Sequence, residues 1–241
     1  TSSFSAGWAT SPRSGIGKSY SFTFQFKVDS TAPTMNNVST SSTGKYTNSS
    51  TYVSASDSMS GVECIYMKTP GSSSYGNMGT STTVSSSGMN GLYSFYAKDK
   101  AGNTSRTYFL YLDTVKPTGK IKNSNGTEIT GSYTNQTFSY SATDSGSGIS
   151  YLQYKKPSSS SWLTYTSGTS ISASAASGTY QFRAVDKAGN ISATKSITLD
   201  SSKPTMTLYS GDVSVSNGFK SIANYIKATA TDSESGVKTI Y

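Results

Sequence analysis

The amino-acid sequence predicts an all-β protein built from tandem antiparallel β-sandwiches, and three observations support this prediction. The pentapeptide Asp-Lys-Ala-Gly-Asn at residues 99–103 returns unchanged at residues 186–190, so the chain repeats after 186 − 99 = 87 residues. The composition is rich in Ser, Thr and Gly and includes 18 Tyr and 9 Phe, which favours strands and turns. Apolar and polar residues alternate over short stretches, and no long stretch has the 3.6-residue period of a helix.

The second repeat contains the predicted elements in order. A strand at residues 137–142 carries Phe138, Tyr140 and Ala142 on one face, and a turn follows at residues 144–148 because Asp, Ser and Gly bond nearby amides or accept positive φ. The later elements are an alternating strand at 149–155 with Ile149, Tyr151 and Gln153 on one side, a loop at 157–161, a strand at 162–165, a strand at 178–184 with Tyr180, Phe182 and Ala184 inward, a turn at 186–190 and a strand at 192–199. Six or seven short strands in each repeat predict a sandwich.

Prolines mark the domain joints. Asp29, Asp113 and Asp200 each precede a proline by four residues. A period near 87 residues suits small domains that fold independently. We therefore expect the final strand or strands of one repeat at residues 1–28, complete repeats at 29–116 and 117–203, and the first part of a further repeat at 204–241.

Three motifs recur along the chain: Asp-Lys-Ala-Gly-Asn before the last strand, Asp-x-x-Ser-Gly-Val/Ile in an earlier turn, and Asp-x-x-x-Pro at the joints. They resemble the motifs of bacterial immunoglobulin-like repeats in large surface proteins and adhesins. The Gly-x-Tyr segments at Tyr93 and Tyr180 are also similar to the tyrosine corner of immunoglobulin-like domains. The resemblance implies tandem immunoglobulin-like sandwiches in a secreted or cell-surface bacterial protein.

The residues present argue against a catalytic role. Histidine is absent, which removes the usual general base at neutral pH and the Ser-His-Asp triad. Most Asp residues recur once per repeat, as structural residues do, and the single Cys64 cannot form an intramolecular disulfide. The net charge of +8 comes from scattered basic residues, so we expect neither nucleic-acid binding nor membrane insertion. A loose attraction to anionic cell-wall polymers is the alternative interpretation of this charge.

Calcium is the one cofactor that the pattern suggests. The turns after the second strand and before the last strand lie at the same end of such a sandwich, so Asp57 should approach Asp99, and Asp144 should approach Asp186. The joint residues Asp113 and Asp200 would add further oxygen ligands. The alternative is that each Asp only caps a turn, and the neighbouring Lys100 and Lys187 favour this alternative.

The sequence therefore predicts a non-catalytic stalk or fibre segment of an extracellular, adhesin-like protein. Three other functions stay open. Exposed Trp162 and Tyr165, together with Tyr75, could stack on cell-wall or host-surface glycans; the repeats could be accessory to a secreted enzyme; or the incomplete terminal repeats could join neighbouring subunits into a filament by strand complementation. Partners would then be host or cell-wall glycans, proteins, or neighbouring repeats of the same protein.

Overall fold

The structure is a computed structural model that describes the backbone of residues 2–4, 24–210, 213–215 and 226–241, with side chains for 27–209 and 227–241. It divides into two compact units, Thr1–Asp113 and Thr114–Tyr241. Most of the fragment predicted at residues 1–28 lies outside the described residues. In the part of the chain that is described, no helix is long and apolar enough to cross a membrane.

The first unit contains a two-stranded pair and a β-sandwich. The pair is β1 (Ser2–Phe4) with β2 (Phe24–Phe26), which run antiparallel. The strands of the sandwich are β3 (Thr34–Asn36), β4 (Lys45–Thr47), β5 (Thr51–Ser56), β6 (Val62–Lys68), β7 (Gly76–Asn77), β8 (Ser81–Val84), β9 (Gly91–Asp99) and β10 (Tyr108–Leu112). One sheet has the order β3-β5-β8 and the other β4-β10-β9-β6-β7. All pairs are antiparallel except β4 with β10.

The second unit repeats this arrangement and adds a third sheet. Its strands are β11 (Thr118–Asn123), β12 (Tyr133–Thr134), β13 (Phe138–Thr143), β14 (Ile149–Lys155), β15 (Leu163–Tyr165), β16 (Ser170–Ile171), β17 (Gly178–Asp186), β18 (Lys195–Leu199), β19 (Thr205–Ser210), β20 (Val213–Val215) and β21 (Ile226–Thr231). The sandwich sheets are β11-β13-β16 and β12-β18-β17-β14-β15, and the additional sheet is β20-β19-β21. The shared strand order confirms the predicted fold class of tandem immunoglobulin-like sandwiches.

Both sandwiches bury the alternating residues of their strands. Tyr180, Phe182 and Ala184 of β17 are at most 4% exposed, as the alternation predicts. Each described sandwich has eight strands, because two-residue strands complete its sheets, so the expectation of six or seven was too low. The uninterrupted alternation expected for β14 is wrong, since a bulge lies between Ile149 and Tyr151. The bulge leaves Tyr151 46% exposed and places Leu152 in the core.

Tyrosine corners connect the two sheets at the start of β9 and β17. Tyr93 Oη donates to the carbonyl oxygen of Met89 at 2.9 Å, and Tyr180 Oη donates to that of Ala176 at 3.0 Å. These bonds confirm the tyrosine corners that the Gly-x-Tyr segments predict. In the second corner Gly178 has a φ of +123°, and a Cβ there would lie 2.8 Å from the ring of Pro157, so glycine is required.

Candidate cation site at the end of the first sandwich

The turn after β5 places Asp57 at one end of the first sandwich. Asp57 Oδ1 accepts hydrogen bonds from the N–H groups of Met59 at 3.1 Å and Gly61 at 2.8 Å. This pattern is an Asx turn, in which a short carboxylate replaces a backbone acceptor. Asp57 therefore caps its turn as the sequence predicts, and only one of its two carboxylate oxygens is used for this.

The turn after β9 holds Asp99 in the same region. Asp99 is fully buried, and its two carboxylate oxygens accept from the backbone N–H and the side-chain Nδ2 of Asn103, both at 2.8 Å. The equivalent Asp186 accepts from the same two groups of Asn190, at 2.8 Å and 2.7 Å. The first and last residues of the repeated pentapeptide thus bond to each other, which explains why they recur together.

Asp29, at the start of the repeat, completes the cluster. Its carboxylate accepts from the N–H groups of Thr31 and Ser60, each at 2.9 Å. Asn103 Nδ2 also donates to the carbonyl oxygens of Asp29 at 3.1 Å and Thr31 at 3.4 Å. Both turns of the sandwich therefore bond the segment that leads into it. The sequence marks Asp29 only as a joint residue, and its match to Asp113 and Asp200 is the signal that it belongs to the site.

The three carboxylates of Asp29, Asp57 and Asp99 can be offered to one cation. One carboxylate oxygen from each lies within 4.8 Å of the other two. Asp57 Oδ2 is buried, and no described residue donates a hydrogen bond to it. A buried oxygen without a donor is costly unless a cation or water satisfies it, so this set fits a hard cation such as Ca²⁺. The expected approach of Asp57 to Asp99 is confirmed.

The electrostatics of the cluster favour ionised carboxylates. The nearby Ser60 hydroxyl, followed by the Thr31 N–H, lowers the pKa of Asp29 below its ordinary value of 3.8. Burial acts to raise the pKa of Asp99, but the hydrogen bonds from Asn103 outweigh burial and the pKa falls. Lys100, expected to oppose a cation, forms no ion pair with a carboxylate among the described residues. Mutual repulsion between the carboxylates would therefore be relieved by a bound cation.

The second unit repeats part of this arrangement. Asp144 Oδ1 accepts from Gly146 N–H at 3.0 Å and Gly148 N–H at 2.8 Å, while its buried Oδ2 has no donor in the described chain. Carboxylate oxygens of Asp144 and Asp186 approach within 4.8 Å, as expected. Asp113, the last residue of the first unit, is fully buried directly after β10, where its N–H donates to the Thr47 carbonyl oxygen at 2.9 Å.

Asp200 takes the position of Asp29 ahead of the additional sheet. Its carboxylate accepts from Ser202 N–H at 2.9 Å and Ser235 N–H at 3.2 Å. Asp232 caps the adjacent turn through Gly236 N–H at 3.0 Å, and contact with Asp200 raises the pKa of Glu234. Glu234 has no acidic counterpart in the earlier repeats, so the sequence does not single it out, whereas the match of Asp232 to Asp57 and Asp144 is a signal that could have found it.

The two aromatic residues expected to bind glycans lie in different environments. Tyr165 is 4% exposed, donates to the Thr169 carbonyl oxygen and accepts from Tyr140 N–H at 3.0 Å. The expectation of an exposed Tyr165 is therefore wrong, because Tyr165 pairs with the buried Leu152 of β14 and its ring lies in the core. Trp162 precedes β15 and is half-buried, and Tyr75 is 36% exposed.

Comparisons with known proteins find a remote likeness among solved structures alone. The chain matches no family model and no curated protein. Among solved structures, it is similar to the fibronectin(III)-like modules of Clostridium thermocellum CbhA, with 16% sequence identity and a TM-score of 0.36. The match covers 69% of this chain and 92% of that chain. The fold assignment rests on the strand pairings described above.

Proposed function

We propose that this chain is a non-catalytic structural segment, a stalk or fibre, of a secreted or cell-surface bacterial protein. The proposal is carried by one observation: the segment entering the first sandwich is bonded to two of that sandwich's turns. Ser60 N–H donates to the Asp29 carboxylate, and Asn103 Nδ2 donates to the Asp29 carbonyl oxygen. A linker fixed in this way limits bending, which is the property that a stalk requires.

The same device recurs where the additional sheet begins. Ser235 N–H donates to the Asp200 carboxylate, just as Ser60 N–H donates to Asp29. Each such bond contributes about 1 kcal/mol, so a few of them hold a short segment without making it immovable. Recurrence of this linker bond at Asp29 and at Asp200 supports a mechanical role, since a catalytic site has no need to recur with the fold.

Calcium is the cation proposed for the cluster of Asp29, Asp57 and Asp99. These residues would supply carboxylate ligands from the linker and from both turns, and turn carbonyl groups would supply others. Bound Ca²⁺ would offset the carboxylate repulsion and join three segments that are distant in sequence. The turn is capped by Asp57 Oδ1 alone, and no described residue donates a hydrogen bond to the buried Asp57 Oδ2. This second oxygen supports calcium binding in addition to turn capping.

Thermal unfolding of the full chain with Ca²⁺ and then with excess chelator tests the calcium proposal. Binding to the native state alone stabilises it by about 2.7 kcal/mol when free Ca²⁺ is a hundred times Kd, so Tm should rise. Asp57→Asn keeps an acceptor for the turn but loses the charge, and its Tm should not respond to Ca²⁺. Equal Tm values for the wild type in Ca²⁺ and in chelator would leave the aspartates as turn caps.

Hydrogen exchange tests the stalk proposal separately from calcium. In chelator, the Ser60 N–H that bonds Asp29 should exchange slowly, and Asp29→Ala should accelerate it while leaving the core amides of β9 protected. Fast exchange of Ser60 in the wild type would mean that the linker is free, which would contradict the stalk.

A further inference from the structure

The outer face of the five-stranded sheet in the second sandwich carries a cluster of Lys155, Trp162 and Arg183. Arg183 lies on β17 between the buried Phe182 and Ala184, so its side chain leaves the sheet on the face opposite the core. Its guanidinium carbon lies 4.1 Å from the centre of the Trp162 ring, and Lys155 Nζ lies 5.0 Å from that centre. The cationic groups of two side chains therefore lie against one indole ring.

The guanidinium of Arg183 is held in a fixed orientation. The Trp162 ring lies against one side of it, and Arg183 Nε donates to Gln153 Oε1 across the β14–β17 pair at 2.8 Å. Only one of the five guanidinium N–H donors is used in this bond. The remaining donors form a preorganised fork of the kind that binds a carboxylate or phosphate with two parallel hydrogen bonds.

No acidic residue accompanies these cations. The sequence contains no Asp or Glu between residues 145 and 185, whereas it contains Lys155, Lys156 and Arg183 there. The ion pairs among the described residues are Lys98–Glu63 and Lys120–Glu128, so neither Lys155 nor Arg183 is paired with a carboxylate. The positive charge of this face is therefore available to an external anion.

The first sandwich has an aromatic cluster at the equivalent positions, 87 residues earlier. Tyr66 and Tyr96 stack with centroids 4.8 Å apart, Tyr75 lies edge-on to Tyr96 at 5.0 Å, and Lys68 Nζ lies 5.4 Å from the Tyr75 ring. Gln153, Trp162, Arg183 and Lys155 replace Tyr66, Tyr75, Tyr96 and Lys68 in the second sandwich. Three tyrosines are thus sufficient to cover this face of the sheet in the first sandwich. The arginine in the second sandwich is therefore not required for packing.

We propose that Lys155, Trp162 and Arg183 bind an anionic polymer of sugar or polyol units, which goes beyond a structural role for the chain. The carboxylate or phosphate group of the polymer accepts from Arg183 and Lys155, and a sugar or polyol unit packs against the exposed part of Trp162. One shallow, exposed cluster binds a single sugar or polyol unit only weakly. A polymer suits such a cluster, because it carries many equivalent units and its overall affinity is therefore higher than that of one unit.

Binding of the full chain to soluble polymers, measured in chelator and at about 150 mM salt, tests this proposal. The probes are polygalacturonate for carboxylate, poly(glycerol phosphate) for phosphate, and dextran as the neutral control. Fluorescence of Trp162 reports binding in a Trp8→Phe background, since these are the two tryptophans of the chain. We expect binding to one or both anionic polymers, which would identify the anion, and none to dextran.

Matched variants separate the cluster from general basic attraction. Arg183→Gln and Lys155→Gln should each weaken binding by roughly 10- to 100-fold, as loss of a charge-assisted hydrogen bond does. Arg183→Lys keeps the charge but loses the fork, so it should weaken binding as well. Lys203→Gln and Lys68→Gln each remove one positive charge outside the cluster, and Lys68 is the counterpart of Lys155 in the first sandwich. Both variants should bind the polymers like the wild type.

Three outcomes would overturn the proposal. They are equal binding to dextran, binding to none of the three polymers, and equal weakening by Lys68→Gln and Lys155→Gln. The cluster variants are compared by thermal unfolding first, so that a loss of binding is not mistaken for a loss of the fold. Since chelator is present throughout, failure of the calcium proposal does not affect the result.

Discussion

The ring of Tyr140 occupies the space beside Gly119 on the neighbouring strand. A Cβ added to Gly119 would lie 2.6 Å from the Cε2 and Cζ atoms of Tyr140, closer than real Cβ contacts. Tyr140 in turn stacks on Phe182 with centroids 5.1 Å apart. The first sandwich divides the same volume differently, because the buried residues at these two positions are Met35 and Val53. The second sandwich therefore fills this part of its core with one small and one large residue, whereas the first sandwich fills it with two residues of intermediate size.

Gly119→Ala should destabilise the second sandwich by about 1–3 kcal/mol, because the added methyl group overpacks the site against a buried ring. Urea denaturation followed by Trp162 fluorescence, in a Trp8→Phe background, reports on this unit. Gly131→Ala is the control, since the nearest atom to a Cβ there is 3.9 Å away. A cost equal to that of the control would show that the Tyr140 ring has room to move.

The pair Gly119→Met and Tyr140→Val should show strong coupling. Each single change should be costly, Gly119→Met through overpacking and Tyr140→Val through the cavity it creates. The double variant recreates the first sandwich's combination, so it should be more stable than the sum of the single changes predicts, by about 0.5–3 kcal/mol. Additive effects in a double-mutant cycle would contradict the exchange of volume between the two residues.

The sequence predicts those features that depend on local bonding. Asp99 and Asn103 lie in one turn, so the motif that joins them is visible as a repeat. The stack of Trp162 on Arg183 depends instead on the pairing of β14 with β17 and on a bulge, which residue patterns do not reveal. Likewise, alternation alone gives no sign that Tyr165 faces inward, because a three-residue strand is too short to define its buried face.

Only part of the cluster of Asp29, Asp57 and Asp99 can be predicted from the sequence. The approach of Asp57 to Asp99 follows from the shared end of the two turns in an immunoglobulin-like sandwich. The participation of Asp29 depends on how the entering segment folds back against Ser60, a contact between residues 60 − 29 = 31 positions apart. A repeat marks such a residue as recurrent without showing which atoms it contacts.

Tyr180→Phe should cost about 1 kcal/mol of stability in the second unit, because it removes only the hydrogen bond to the Ala176 carbonyl oxygen. Tyr93→Phe should have the same effect in the first unit, where the acceptor is Met89. Chemical denaturation measures both. Tyr133→Phe is the control because Tyr133 is 51% exposed, and a corner variant as stable as this control would show that the bond contributes nothing.

Asn103→Ala should destabilise the first unit by about 1–3 kcal/mol, because the amide bonds both the Asp99 carboxylate and the Asp29 carbonyl oxygen. Asn103→Asp nearly keeps the shape but sets a carboxylate against Asp99, so it should be at least as harmful at neutral pH and milder in acid. Thermal unfolding in chelator measures both variants. Asn36→Ala, at an exposed position, is the control, and a loss no greater than its own would argue against a bridging role.

Stability of the first unit should depend on the charge of Asp29 in acid. The Ser60 hydroxyl and the Thr31 N–H lower the pKa of Asp29 in the folded state below its ordinary value of 3.8. A lowered folded pKa means that the unfolded chain takes up the proton first, so the contribution is present above 3.8 and is lost as the pH falls through the folded pKa.

Asp29→Asn removes this titration but keeps one oxygen that can accept from Thr31 or Ser60. In chelator, between about pH 6 and about pH 3, the Tm of the wild type should therefore fall further than the Tm of Asp29→Asn. Addition of Ca²⁺ near pH 6 should raise the Tm of the wild type more than the Tm of Asp29→Asn, because only the wild type retains all three carboxylates. Parallel loss of Tm in both proteins would mean that the acid sensitivity originates at other groups and that the linker carboxylate does not stabilise the joint.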